Sequence, residues 1–295
     1  MAVYSKSARK TKGKKYSVLG SKLLSQRSLL KLGIVSLALL KSRNLKRAIS
    51  IVLFFGIWQL FCITQFNFFI NFTFLPSPVE VWNATVEFFS GNAAVHITAS
   101  VQRVLLGFGI AAILAVSLGI LIGWFRQIED LVFIPLELLR PIPAVAWIPL
   151  AILMFPNAES GMVYITFLGA FFPILISTIR GVESTDIVLL RVGQCLGAKQ
   201  LHILKDIVVP GAMPNIASGL VIGMGNAWFC LVTAEILAGR FGVGYLTWES
   251  YVTSNYPPIV MGMLLIGLMG LVSTLIVDRL TKLLMPWRVT KKQGV

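Results

Sequence analysis

Polar residues interrupt this chain at only a few places. Between the interruptions lie six mostly apolar runs, 48–72, 102–125, 131–155, 161–179, 214–237 and 259–284. A helix rises about 1.5 Å per residue and the hydrocarbon of a bilayer is roughly 30 Å thick, so about 20 such residues reach across it. Helices also satisfy their backbone hydrogen bonds internally, which hydrocarbon demands. The pattern therefore predicts an all-α integral membrane protein of about six transmembrane helices. A shorter apolar stretch, 28–40, has the length of a signal-peptide core. The basic region before it is too long, however, and Lys41-Ser42-Arg43 follows where a small-residue cleavage site would be needed. We expect an interfacial helix along the inner leaflet there. The expected organisation is a basic tail with that helix over 1–47, a transmembrane domain over 48–288 and a short tail over 289–295.

Composition agrees with the spans, since 56% of residues are hydrophobic and 13% charged, against roughly 45–50% and about 25% in soluble domains. The net charge of +14 is uneven, because half of the 26 Lys and Arg precede residue 48. Cationic loops stay on the cytoplasmic side. Arg126, then Arg180, Arg191, Lys199 and Lys205, then Lys282, Arg288, Lys291 and Lys292 fall in alternate connections, whereas the others carry Glu80, Glu87 and Glu159. Both termini are thus expected in the cytoplasm. The basic tail has few aromatics to stack on bases, so anionic lipid headgroups are the expected partner and nucleic acid is not. Cys62, Cys195 and Cys230 form no CxxC pair, and His96 and His202 are the only histidines, so no metal set is expected.

The longest polar insert is 191–214, RVGQCLGAKQLHILKDIVVPGAMP. Gly197 allows a tight turn, 198–209 can form a short helix, and Pro210 and Pro214 are expected to stop it before the fifth span. In such a helix Leu201, Leu204 and Val208 share one face, with Lys199, His202 and Lys205 around it. An apolar ridge with a basic rim suits a groove on a soluble partner, and equally describes a surface amphipathic loop.

Charges within spans are rare and default to paired or functional roles. Glu137 and Arg140 lie three apart in the third span, and Pro141 and Pro143 follow. Those prolines cannot donate backbone hydrogen bonds, so the helix should break near mid-membrane beside protein or a water-filled cavity. Arg140 either pairs structurally with Glu137 or faces that cavity. Glu235, near the outer end of the fifth span, has Arg240 five residues on, which suggests an interfacial pair or, alternatively, an outer gate. On the same span Gly219, Gly223, Asn226, Cys230 and Thr233 form a small and polar stripe. Tight packing and a pathway wall are both compatible with it.

Gly197 stands ten residues before Ile207 in Ile207-Val208-Val209-Pro210. This resembles the coupling motif of bacterial ABC-importer permeases, EAA, three residues, Gly, nine residues, then I-x-L-P, with Arg191-Val192-Gly193 in place of EAA. Phe74-Leu75-Pro76-Ser77-Pro78, Ser100-Val101-Gln102-Arg103-Val104-Leu105-Leu106-Gly107-Phe108, Arg140-Pro141-Ile142-Pro143 with Ile148-Pro149-Leu150, Phe172-Pro173-Ile174-Leu175 and Ala234-Glu235 strengthen the likeness. Over about 48–288 the chain is similar to the nitrate, sulfonate, taurine and bicarbonate branch of these permeases, most of all to the cyanobacterial nitrate and nitrite kind.

The resemblance implies a type I ABC-importer permease fold in a bacterial, cyanobacterial-type inner membrane. It implies a second permease copy in a homodimer, cytoplasmic ATP-binding subunits carrying ATP and Mg, and a periplasmic substrate-binding protein, with no cofactor in this chain. It assigns the contact with the ATPase to Gly197, Ala198, Lys199, Leu201, His202, Leu204, Lys205, Ile207 and Pro210. The candidate substrate pathway, read from the proline break and the small and polar stripe, is Arg140, Asn226, Cys230 and Thr233, with Glu137, Glu235 and Arg240 as gate or ion pair. The carried anion is expected to be nitrate or nitrite, the alternatives being bicarbonate or an alkanesulfonate. An ion-coupled secondary transporter is the competing class, but no clear internal repeat is present. No G-x-x-x-x-G-K-[ST], HExxH or GxSxG pattern occurs, so ATP hydrolysis and other enzyme chemistry are expected elsewhere.

Overall fold

A computed structural model describes residues 43–64 and 74–287, and every regular element among them is a helix. The expected interfacial helix over 28–40 and the C-terminal tail lie outside the described residues. Helix α1 (Arg43–Thr64) forms a unit of its own. Its apolar part, Ile49–Thr64, is shorter than the expected first span, whose remaining residues are outside the described ones.

The second unit begins at Phe74. Its opening Pro-Ser-Pro is a helix start: the Ser77 hydroxyl accepts from the Glu80 N–H, the Glu80 carboxylate accepts from the Ser77 N–H at 2.7 Å, and Pro78 occupies the first turn of α2 (Pro78–Ser90). This reciprocal cap satisfies two donors that the first turn leaves free. There follow α3 (Ala93–Trp124), α4 (Arg126–Leu139), a 3₁₀ turn (Ala144–Trp147), α5 (Ile148–Met154), α6 (Ala158–Glu183) and α7 (Ile187–Cys195). Helix α8 runs unbroken over Gln200–Ala238, and α9 (Val243–Val252) and α10 (Tyr256–Leu283) complete the unit.

Helices α3, α6, α8 and α10 are each long and apolar enough to cross a membrane. Helices α4 and α5 meet at 84° across residues 140–143 and pass the same test only as a pair. Pro141 and Pro143 remove the donors that would continue α4, so the expected mid-span break is present. The α3 helix starts nine residues earlier than the expected second span, at Ala93 instead of Gln102.

Helix α6 lies between α3 and α8, and small residues set the spacing. A Cβ added to Gly107 would sit 2.7 Å from Thr166 Cβ, and one added to Gly169 would sit 2.5 Å from Cys230 Sγ. On α8, Gly219 meets Ser177 and Gly223 meets Ile174 at similar distances. Without side chains there, backbones approach closely enough for dispersion contacts to hold helices that lipid gives no apolar reason to associate. The core between them is filled by Ala111, Ala115, Ile174, Leu175, Leu231 and Ala227, all nearly or wholly buried.

Two expectations about the insert are corrected. Pro210 and Pro214 do not stop a helix before the fifth span, because α8 passes through both. The turn before Pro210, Leu204–Val208, is a π turn, in which the Val209 N–H reaches back to the Leu204 carbonyl. That wider turn makes room for the pyrrolidine ring against the preceding carbonyls. It also holds an extra residue, which rotates Val208 off the face of Leu201. Val208 is buried in the protein while Leu201 is 73% exposed, so the expected three-residue ridge does not form.

Candidate functional site

Where α4 breaks, residues 142–147 pack beside α6 and α8 and enclose a cavity of about 550 Å³. Arg140, Trp147, Phe172, Ser177, Asn226 and Cys230 are among its lining residues. Three of the four expected pathway residues therefore share one cavity. The fourth, Thr233, is not on its wall, and its hydroxyl donates to the Phe229 carbonyl. Cys230 is buried and packs on Gly169, so its first role is packing, whereas Asn226 is exposed toward the cavity side. Arg140 donates to Glu137 Oε1 at 2.9 Å, with both side chains close to half exposed. The guanidinium has five N–H donors, and this contact occupies one, so a planar anion in the cavity can be met by the rest.

The pairing expected between Glu235 and Arg240 is not found. Arg240 is exposed, while Glu235 is fully buried and paired with Arg103 at 2.7 Å. The early start of α3 is the reason, since it carries Arg103 a full two turns into the protein. Glu235 also accepts from the Ser100 hydroxyl at 2.8 Å and the Gly244 N–H at 2.9 Å, and Arg103 donates to the Phe241 carbonyl. Gly242, at φ +129, lies against the Glu235 carboxyl, where a Cβ has no room. The other edge of the guanidinium holds Glu159 through both Nε and Nη2. The signal for this cluster was present in the spacing of His96, Ser100 and Arg103, at i, i+4 and i+7 on one helix face.

Just ahead of the insert, Asp186 caps α7 by accepting from the Val188 N–H at 2.8 Å, and the chain then turns within the insert at Gly197, whose φ is +77. The Gly197 and Ala198 N–H groups close the turn on Gln194 and Gly193, as in a left-handed helix end. Gly193 is buried under Ile207, which a Cβ there would meet at 2.9 Å. Smallness at the third position of the RVG triplet thus has a packing cause. Of the expected docking residues, Ala198, Lys199, Leu201, His202 and Lys205 are exposed, Leu204, Ile207 and Pro210 half-buried. Leu201 thus keeps its expected exposure, and the other exposed large apolar side chains here come from Ile187, Val188, Leu189, Val192 and Leu196.

Residues 115–289 match the family of binding-protein-dependent transport system inner membrane components. The chain belongs to this family. Relatives include a putative ABC transporter permease protein of Methanocaldococcus jannaschii, 40% identical over 73% of this chain and 82% of that protein. A nitrate import permease protein of Synechocystis sp. is 31% identical over 82% of this chain and 90% of its own length. A putative aliphatic sulfonates transport permease protein of Bacillus subtilis is 32% identical over 74% and 80%. The chain is a permease subunit of an ABC transporter in the nitrate, sulfonate and bicarbonate branch, a multi-pass membrane protein whose ATPase is a separate subunit. Membership implies ATP-binding and substrate-binding partners for the permease.

Proposed function

We propose that the permease imports nitrate or nitrite by alternating access, as a homodimer in a bacterial inner membrane with both termini cytoplasmic. Nitrate import is what the Synechocystis relative is named for. The observation that carries the anion reading is Arg140, a half-exposed guanidinium on the wall of the 550 Å³ cavity beside Asn226 and Ser177. A cation lowers the barrier a small anion meets in a low-dielectric passage, and a planar fork of donors suits a planar oxyanion. Trp147, Phe172 and Phe229 are also among the residues that line the cavity. In this reading the exposed residues of 187–205 dock on cytoplasmic subunits that bind ATP and Mg. A periplasmic binding protein delivers the anion, and anionic lipid holds the basic N-terminal tail. Bicarbonate or an alkanesulfonate is the alternative cargo.

The test is uptake by the reconstituted complex offered nitrate, nitrite, bicarbonate and an alkanesulfonate. Arg140→Gln should lower uptake per assembled complex about tenfold, equivalent to ~1.4 kcal/mol, and Asn226→Leu should lower it by closing a wet wall. If Arg140→Gln instead reduces only the amount of folded complex, and adding Glu137→Gln restores it, the pair is structural. Wild-type uptake by Arg140→Gln removes the residue from the path.

A further inference from the structure

His96, Ser100 and Arg103 occupy one face of α3, and all three reach the segment joining α8 to α9. His96 Nδ1 lies 3.0 Å from the Gly242 carbonyl oxygen. Ser100 Oγ accepts from the Val243 N–H at 3.0 Å, and Arg103 Nη1 donates to both Phe241 O and Glu235 Oε1 at 2.7 Å. This side of the cluster is closed to water, with the Glu235 side chain 0% and the Arg103 side chain 4% exposed. The opposite side differs. Glu159, held by the other edge of the same guanidinium, is 62% exposed. Water competes for a hydrated carboxylate and weakens its attraction to a partner, while a buried one has nowhere else to go. One arginine therefore carries an arm that solvent can replace and an arm that it cannot.

The replaceable arm is tied to the cavity. Glu159 lies in the first turn of α6, directly after residues 155–157 that close the α4–α5 pair. The 3₁₀ turn of that pair packs on α6 and α8 and forms the cavity wall with Arg140. Releasing Glu159 would loosen the corner from which that wall hangs.

We propose that Arg103 is a positioning residue for transport, with Glu235 as its permanent arm and Glu159 as its releasable one. The Glu235 arm keeps residues 239–252 on the core throughout the cycle. The Glu159 arm opens in one of the two access states, freeing the 155–161 corner to move the cavity wall. This rests on the alternating-access reading of the permease.

The experiment uses the whole complex in proteoliposomes, with Cys62, Cys195 and Cys230 replaced by alanine and a single reporter, Ser160→Cys. Ser160 lies beside Glu159 on a 710 Å³ groove that Arg103 also lines. Labelling by a membrane-impermeant maleimide is timed at rest and after trapping with ATP and vanadate. In the parent the rate should change severalfold between the two states. Glu159→Gln should assemble in normal amounts and hold the open-arm rate in both states, with ATP hydrolysis no longer linked to uptake. Glu235→Gln should instead lower the assembled amount. Equal parental rates in the two states, or a Glu159→Gln protein that keeps the parental difference, would overturn the proposal. So would a Glu159→Gln and a Glu159→Asp that both fail to assemble, which would make the arm structural, or a Glu235→Gln that assembles fully and labels like Glu159→Gln. Absence of nitrate uptake with the labelling difference intact would overturn the choice of cargo and leave the arm standing.

Discussion

At the scale of single residues, the contacts that matter most are those where one atom more cannot be accommodated. Gly169 faces Cys230 Sγ at 2.5 Å and the Asn226 carbonyl at 3.0 Å from where a Cβ would be. Gly169→Ala therefore forces α8 away from α6 beside the cavity, and overpacking of this sort costs about 1–3 kcal/mol. A lower melting temperature of the detergent-solubilised complex is the expected reading. Cys230→Ala in the same protein should recover part of the loss, because it removes the nearest of the three obstructing atoms. Failure of that recovery would place the strain on the Asn226 carbonyl and on the Cβ at position 230, which alanine retains at 3.0 Å. The Arg103–Glu235 pair is the charged counterpart, since taking one partner from a buried ion pair leaves the other unpaired, at about 3–5 kcal/mol. Arg103→Ala should yield little assembled complex, and Arg103→Leu with Glu235→Leu more than either change alone, as measured by the amount of permease that copurifies with its ATPase.

At the scale of elements, two turns decide how α7 and α8 present the insert. Gly197 sits at φ +77 with nothing near its missing side chain, so its role is conformational, and an L residue there costs about 1–2 kcal/mol. Its N–H also closes on the Gln194 carbonyl at 2.9 Å. Gly197→Ala should therefore weaken ATPase stimulation modestly and Gly197→Pro should abolish it, with membrane insertion unchanged in both. Reversing Lys199 and Lys205 to Glu should act like the proline if the exposed basic rim docks on an acidic groove. Unchanged stimulation across all three variants would place the contact elsewhere. The sequence pattern located the turn but not the faces around it. A 3.6-residue period puts Leu201 and Val208 together, and the π turn over Leu204–Val208 separates them.

At the scale of the whole molecule, four single helices and one broken pair among the described residues have the length and hydropathy of membrane spans. With the first span that the sequence pattern predicts over 48–72 the expected total is six, an even number that would return the chain to its starting side. Cysteines introduced singly at Gln200 and Arg126 should then react only from the cytoplasm, and those at Glu80 and Tyr251 only from the periplasm. Labelling of a cysteine at Gln200 from the periplasmic side would sink this topology. The α10 window is only 11% buried, a face left for lipid or for a second permease.

Some of this was determined by composition and periodicity alone. Hydrocarbon accepts only runs of a certain length and forbids unpaired backbone, so the spans, the break at Pro141 and Pro143 and the left-handed turn at Gly197 were legible from local sequence. Which side chains meet is a different matter, since it depends on where helices begin and how closely they approach. Arg240 was the nearest basic residue to Glu235 along the chain, but α3, packed against α8, brings Arg103 to it from 132 positions away. The seating of Arg140 with Asn226 and Cys230 around one cavity likewise follows from glycine contacts between α6 and α8 and from the 84° bend. Distance along the chain carries none of that information, because a buried charge takes whichever partner the packing supplies.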